Sequence, residues 1–210
     1  MTESITLYGF GDNDRSGKVR WLAHELGLEV EERRVKLGEH RRAPYTDINP
    51  LAQIPTVVYR GETLIESTAA SQLIAESFDE PKLWIGRGEP RRRDYLFWIS
   101  AFAESLEGRM VECILSKLGR IDERFYELHA PSVRRKLDTL IGMLPDDGYV
   151  CGAFTLADIV AAYSLRLALG AELVTWSQVG SHLRRASERP AAKASRFFGS
   201  IEAHLSSPED

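Results

Sequence analysis

A proline seated just ahead of a short strand, with a hairpin and then a helix start behind it, constrains this chain more than any other segment. Ile54-Pro55-Thr56 opens the run Thr56-Val57-Val58-Tyr59; Arg60-Gly61 makes a turn, and Thr63-Leu64-Ile65 returns. Glu66-Ser67-Thr68 follows, and Ala70, Leu73, Ile74 and Phe78 then recur at helical spacing. Proline has no backbone N–H, so it fits only the edge or the start of a strand. With a cis bond at Pro55, the N–H and C=O of Ile54 stay free to pair with an extended ligand. Ser67 and Thr68 fall at a helix N-terminus, where unpaired N–H groups and the dipole favour a carboxylate. Glu66 offers a negative charge to an ammonium. The segment therefore suits a short peptide with a free amine and carboxylate at one end.

Composition narrows the function classes. At 210 residues the chain can hold two small domains. Lys and Arg number 27 against 31 Asp and Glu, a net charge of −4 that gives no support to a nucleic-acid partner. The runs Arg91-Arg92-Arg93, Arg134-Arg135-Lys136 and Arg184-Arg185 read as solvated helix faces. No apolar stretch is long enough to cross a membrane, and Met1-Thr2-Glu3-Ser4 runs straight into a strand-like Ile5-Thr6-Leu7-Tyr8, so no signal peptide is expected. Cys113 and Cys151 lack CxxC spacing; two isolated thiols suit a reducing cytoplasm and read as small apolar fillers. No metal site is expected.

The first 78 residues alternate strand and helix. Ile5 to Phe10 reads as a strand, residues 14–26 as a helix stopped by Gly27, and Val30 to Leu37 as a charge-rich, partly exposed strand. Gly38 to Pro50 is irregular, with a short helical piece near Ala43–Asp47. This order gives a small mixed sheet with helices packed on it. Residues 79–90 (DEPKLWIGRGEP) read as a linker. Beyond Pro90 the pattern is helical: Tyr95, Trp98, Ile99, Phe102 and Leu106 make one apolar stripe, and Val133, Leu137, Leu140, Ile141 and Leu144 another, with Pro131 expected in the first turn of that second helix. Ile159 to Leu169 is apolar on nearly every face and reads as the buried central helix. Thr155 and Asp158 ahead of it form a capping-box pattern.

Together these features resemble a cytosolic glutathione transferase. The resemblance runs from Ile5 to about Leu205 and rests on Asn49-Pro50-Leu51-Ala52-Gln53-Ile54-Pro55-Thr56-Val57, Glu66-Ser67-Thr68, the Phe154 to Asp158 box and Arg189-Pro190-Ala191. It implies a thioredoxin-like α/β N-terminal domain over 1–78, which binds glutathione as co-substrate. An all-α helical domain over 91–210 would then contribute an electrophile pocket. It also implies a cytoplasmic homodimer with a role in detoxification. By the same resemblance Ile54, opened by cis Pro55, pairs with the cysteinyl unit. Glu66 takes the γ-glutamyl ammonium, and Ser67 with the Thr68 N–H takes the γ-glutamyl carboxylate. Gln53 and His40 reach the glycyl end, with Arg41 or Arg42 as competing choices and an exposed loop histidine as the plain alternative for His40.

The chain departs from the family at the residue that activates the thiol. Family members carry Ser, Tyr or Cys near the end of the first strand; here Asn13 falls where Ser or Cys stands, and Tyr8 lies one residue short of the tyrosine position. Three candidates remain open: Asn13, whose amide can donate to a thiolate; Ser16, in a shifted register; and Arg15, whose charge favours the thiolate. Asp12 and Asp14 oppose thiolate formation unless they point away. Phe10, Phe102, Leu106 and Arg109 are the candidates for the electrophile pocket. The leading reading is conjugation of glutathione to small hydrophobic electrophiles; the runner-up is a non-catalytic binding or interaction module of the same fold.

Overall fold

The structure, a computed structural model, describes residues 3–207. It divides into two units: residues 1–84 with 187–202, and residues 85–186 with 203–210. The helical part expected over 91–210 is therefore interrupted, because 187–202 packs with the first unit.

In the first unit β1 (Ser4–Gly9), α1 (Ser16–Glu25) and β2 (Glu29–Arg34) form a βαβ unit. A single 3-10 turn (Glu39–Arg41) and the short α2 (Tyr45–Ile48) follow, then the hairpin β3 (Thr56–Tyr59) and β4 (Glu62–Ile65), and α3 (Ser67–Glu76). The sheet order is β2-β1-β3-β4, with β1 parallel to β2, and β3 antiparallel to both β1 and β4. Alternation along β1 gives the sheet two faces. Ile5 and Leu7 share the fully buried side with Val19 and Leu22 of α1 and Ala70 and Ile74 of α3. Tyr8 lies on the other side, packed with Val35, Tyr45 and Ile54. Gly9 ends β1 where no side chain fits: a Cβ there would stand 2.7 Å from Ser16 Oγ. The segment that returns to this unit, α9 (Pro190–Ala194) and the residues after it, seats Phe197 and Phe198 against Trp21, ring centroids 4.8 and 5.5 Å away.

The second unit holds α4 (Arg92–Ala103), α5 (Glu107–Lys117), α6 (Arg124–Ile141), α7 (Leu156–Gly170) and most of α8 (Trp176–Ser187). Pro131 lies inside α6 rather than in its first turn. The helix starts earlier because Asp122 Oδ1 accepts the Arg124 N–H, at 3.0 Å, and supplies the cap. Helix α7 is buried along nearly its whole length, and its capping box is formed: Asp158 Oδ2 accepts the Thr155 N–H at 2.8 Å, while Oδ1 accepts the Val150 N–H at 2.9 Å. Among the described residues no helix is long and apolar enough to cross a membrane.

Candidate functional site

The Ile54–Pro55 peptide bond is cis. Its loop is held by a buried polar network that sequence reading did not single out. Asn49, 1% exposed, donates from Nδ2 to the Gln53 carbonyl (3.0 Å) and to Thr56 Oγ1 (2.9 Å), and its Oδ1 accepts the Leu51 N–H at 3.0 Å. The Tyr45 hydroxyl donates to the same Gln53 carbonyl at 2.7 Å and lies 2.7 Å from Thr56 Oγ1. Burial raises the Tyr45 pKa, so the phenol stays a donor. The signal was legible in part, because Asn followed by Pro is a turn pattern in which the amide bonds the backbone two residues on. With the loop so fixed, the Ile54 side chain is buried while its N–H and C=O make no hydrogen bond with any described residue. Gln53 is exposed.

At the start of α3, Glu66 adopts φ 65° and ψ 100°, outside the ordinary regions for a residue with a side chain. The first helical bond of this turn runs from the Ala70 N–H to the Glu66 carbonyl, 2.8 Å. The N–H groups of Ser67 and Thr68 therefore lie ahead of the hydrogen-bonded helix and are available to an anion. Ser67 is buried, Glu66 exposed. Lys18 of α1, only 1% exposed, places Nζ 3.5 Å from Thr68 Oγ1 and so brings a cation to this turn. Lys18 had a sequence signal: it lies four residues before Leu22, on the buried face of the helix.

The loop between β1 and α1 distinguishes the three activator candidates. Asp14 is its organiser: Oδ2 accepts the N–H groups of Phe10 (2.7 Å) and Gly11 (2.9 Å), and Oδ1 accepts that of Ser16 (2.6 Å). Its charge is thus spent on the backbone. Ser16 is corrected as a candidate. It is fully buried, and its hydroxyl donates to the Gly11 carbonyl at 3.1 Å, so it presents no free donor. Asn13 is exposed at the tip of the loop, and Arg15 is half-buried at the first turn of α1. Asp12 is paired with Arg20 and Arg196.

His40 is not an exposed loop histidine. It is 8% exposed, with its ring edge-on to Phe10 at 5.0 Å, and Nδ1 accepts the Gly38 N–H at 3.2 Å. Burial, and then the Arg41 charge, lower its pKa, so the neutral ring keeps its proton on Nε2 as a donor. A cleft of about 610 Å³ opens on the Tyr8 side of the sheet, lined by Val35, Pro44, Tyr45 and Ile48 with Arg33 and Arg42; sequence reading did not anticipate it.

The second-unit candidates fare differently. Phe102 is fully buried and stacked on Trp98, 5.8 Å between centroids, and Leu106 is also fully buried. Both are corrected from pocket lining to core, while Arg109 is exposed. Cys113 and Cys151 are buried free thiols, and burial pushes Cys151 up to about 11.

Residues 3–76 match the family model of the glutathione S-transferase N-terminal domain. Glutathione S-transferase 3 of Zea mays is 26% identical over 163 residues, covering 73% of this chain and 73% of the relative. The solved glutathione transferase URE2P6 of Phanerochaete chrysosporium, in complex with oxidized glutathione, superposes with a TM-score of 0.80 at 21% identity, over 97% of this chain and 98% of that one. Ure2p in complex with glutathione gives 0.79 at 17% identity, over 93% of each chain. The match to the family model lies within the first unit, and the fold shared with the solved glutathione transferases extends over nearly the whole chain.

Proposed function

We propose that this protein binds glutathione in its first unit and conjugates the thiol to small hydrophobic electrophiles. The observation that carries the reading is Glu66. An exposed residue with a side chain holds a backbone conformation that costs about 1–3 kcal/mol. A hairpin-to-helix junction with no ligand to serve would use glycine there. The glutamate instead puts a carboxylate-bearing residue directly before the open N–H groups of Ser67 and Thr68, which suits an ammonium and a carboxylate on one α-carbon. The free Ile54 backbone pairs with the cysteinyl unit, and Gln53 and the His40 Nε2–H serve the glycyl end.

The thiol is then presented to the loop before α1. The Asn13 amide donates to the developing thiolate and cannot take its proton, so the proton leaves to solvent. The charge of Arg15 at the first turn of the helix is the remaining alternative. Once ionised, the sulfur attacks an electrophilic carbon and the new C–S bond forms. A leaving group departs with its electron pair or, at an activated double bond, the bond's electron pair shifts onto the acceptor and is protonated by solvent. The alternative class, a non-catalytic binding module, is favoured by one feature: Asn13 stands where the family carries a hydroxyl or thiol. We assign the protein to the cytoplasm as a homodimer on the family resemblance.

A glutathione titration at several pH values, following thiolate ultraviolet absorbance, tests this. A bound thiol that ionises well below the free value of about 8.5 supports the transferase. An unshifted bound thiol supports the binding module, and absence of binding removes both.

A further inference from the structure

Three consecutive residues of the first loop are gripped by arginines from three separate segments. Arg34 of β2 donates from Nε to the Phe10 carbonyl at 2.9 Å. Arg20 of α1 donates from Nη2 to the Gly11 carbonyl, also at 2.9 Å. Asp12 Oδ1 meets Arg20 Nη1 at 3.4 Å, and Arg196 from beyond α9 at 3.2 Å through Nη2 and 3.3 Å through Nε. The same two arginines share Glu32 Oε1, Arg196 at 2.7 Å and Arg20 at 3.2 Å. The next residue in the chain is Asn13.

Asp14 folds this loop from within, and the arginines tie its outer residues to β2, α1 and the C-terminal segment. A cavity of about 110 Å³ lies within the cluster, lined by Asp12, Glu32, Arg20 and Arg196 among others, so the loop is not close-packed on its neighbours. Arg20 is 1% exposed, yet its Nε and Nη1 make ion pairs without hydrogen bonds of good geometry. Arg196 is the better-anchored partner. It holds φ 57°, and Phe197 next to it is fully buried against Trp21. His24 faces the same charges; burial first, and then Arg20 and Arg196, lower its pKa, so it is neutral at pH 7.

We infer that Arg196, reaching from the C-terminal segment to Asp12 and Glu32, is a positioning residue for the thiol-activating loop. The inference rests on the transferase reading above. Arg196 fixes Asp12, and through it the adjacent Asn13, and it neutralises a carboxylate that would otherwise oppose the thiolate. Losing it exposes that carboxylate and lets the Asn13 amide drift, and both effects raise the thiol pKa.

The test compares wild type with Arg196→Ala. It reads the pH dependence of glutathione thiolate absorbance in the complex, and the affinity for S-methylglutathione, which has no ionisable thiol. We expect the thiolate fraction at pH 7 to fall about tenfold while S-methylglutathione affinity stays within twofold. An unchanged thiol pKa overturns the inference, as does a parallel loss of S-methylglutathione binding, which would mark a merely structural role. If Arg196→Ala does not fold, Arg196→Gln removes the charge facing Asp12 and Glu32 while keeping a side chain that can still donate. A smaller shift in the same direction is then expected, and none overturns it. A wild-type complex whose thiol ionises as free glutathione does sinks the transferase reading itself, before any variant is compared.

Discussion

Arg189 and Glu25, 164 positions apart, meet in two parallel charge-assisted bonds of 2.6 and 2.7 Å. Glu25 Oε1 also accepts the Trp21 Nε1–H at 2.8 Å, so one carboxylate ties the returning segment to α1. Its side chain is 8% exposed and that of Arg189 26%, which places the pair between the surface and buried cases. Arg189→Ala should cost about 2 kcal/mol of first-unit stability, read from urea unfolding, and Glu25→Gln should cost less because the Trp21 bond survives. Equal stability of wild type and Arg189→Ala would mean that the aromatic contacts alone hold the segment.

Glu66 should separate stability from binding. Glu66→Gly relieves the positive φ and is expected to stabilise the fold by about 1 kcal/mol, while glutathione affinity falls by about 1.5–3 kcal/mol. Glu66→Ala should lose the same affinity without the gain in stability. Calorimetric titration and thermal melting check both; unchanged affinity would mean the ligand amine lies elsewhere.

Asn49 holds the proline loop from inside. Asn49→Ala leaves the Gln53 carbonyl and Thr56 hydroxyl with fewer partners in a buried site, at a cost of about 2 kcal/mol. Asn49→Asp should cost more, because it buries a charge and removes the two amide donors. Denaturant melts of the three proteins decide.

Two buried groups in the helical unit titrate in opposite senses. Burial raises Asp158 from 3.8 to about 6. The folded state then holds this proton more tightly than the unfolded chain, and stability present below pH 4 is lost as pH rises through about 6. Asp158→Asn should remove that loss, about 3 kcal/mol over the range, at the cost of the Val150 and Thr155 bonds.

His182 runs the other way. It is buried with both ring nitrogens unpartnered among the described residues, and burial lowers its pKa from 6.5 to about 4. Its contribution is present above pH 6.5 and is lost as pH falls through about 4. Wild-type melting temperature should therefore be nearly flat between pH 4 and 6. His182→Phe should be at least as stable at pH 7 and should lose stability as pH rises through that window. A variant profile as flat as the wild type would count against the assigned burial.

How far the sequence reached can be seen in particular residues. Apolar spacing of 2.0 and 3.6 placed the strands of the first unit, α1, α3 and the buried α7, because those periods follow from backbone geometry alone. The Ile54–Pro55 and Glu66–Thr68 segments were legible for a related reason: their conformations are local. Asp122 capped α6 ahead of Pro131, a local effect too, yet it was hidden because proline at a first turn is the commoner arrangement.

The remainder was decided by contacts between residues distant in the chain. Composition cannot tell that Ser16 faces the Gly11 carbonyl, that Phe102 and Leu106 fill a core, or that Lys18 reaches Thr68. The sequence by itself determined the element types, the α/β and helical fold class, and the Glu66–Thr68 turn. Only the tertiary structure decided that residues 187–202 return to the first unit and bring Arg196 to Asp12. Local periodicity records what each segment buries, whereas the choice of partner depends on long-range packing and charge that no window of sequence contains.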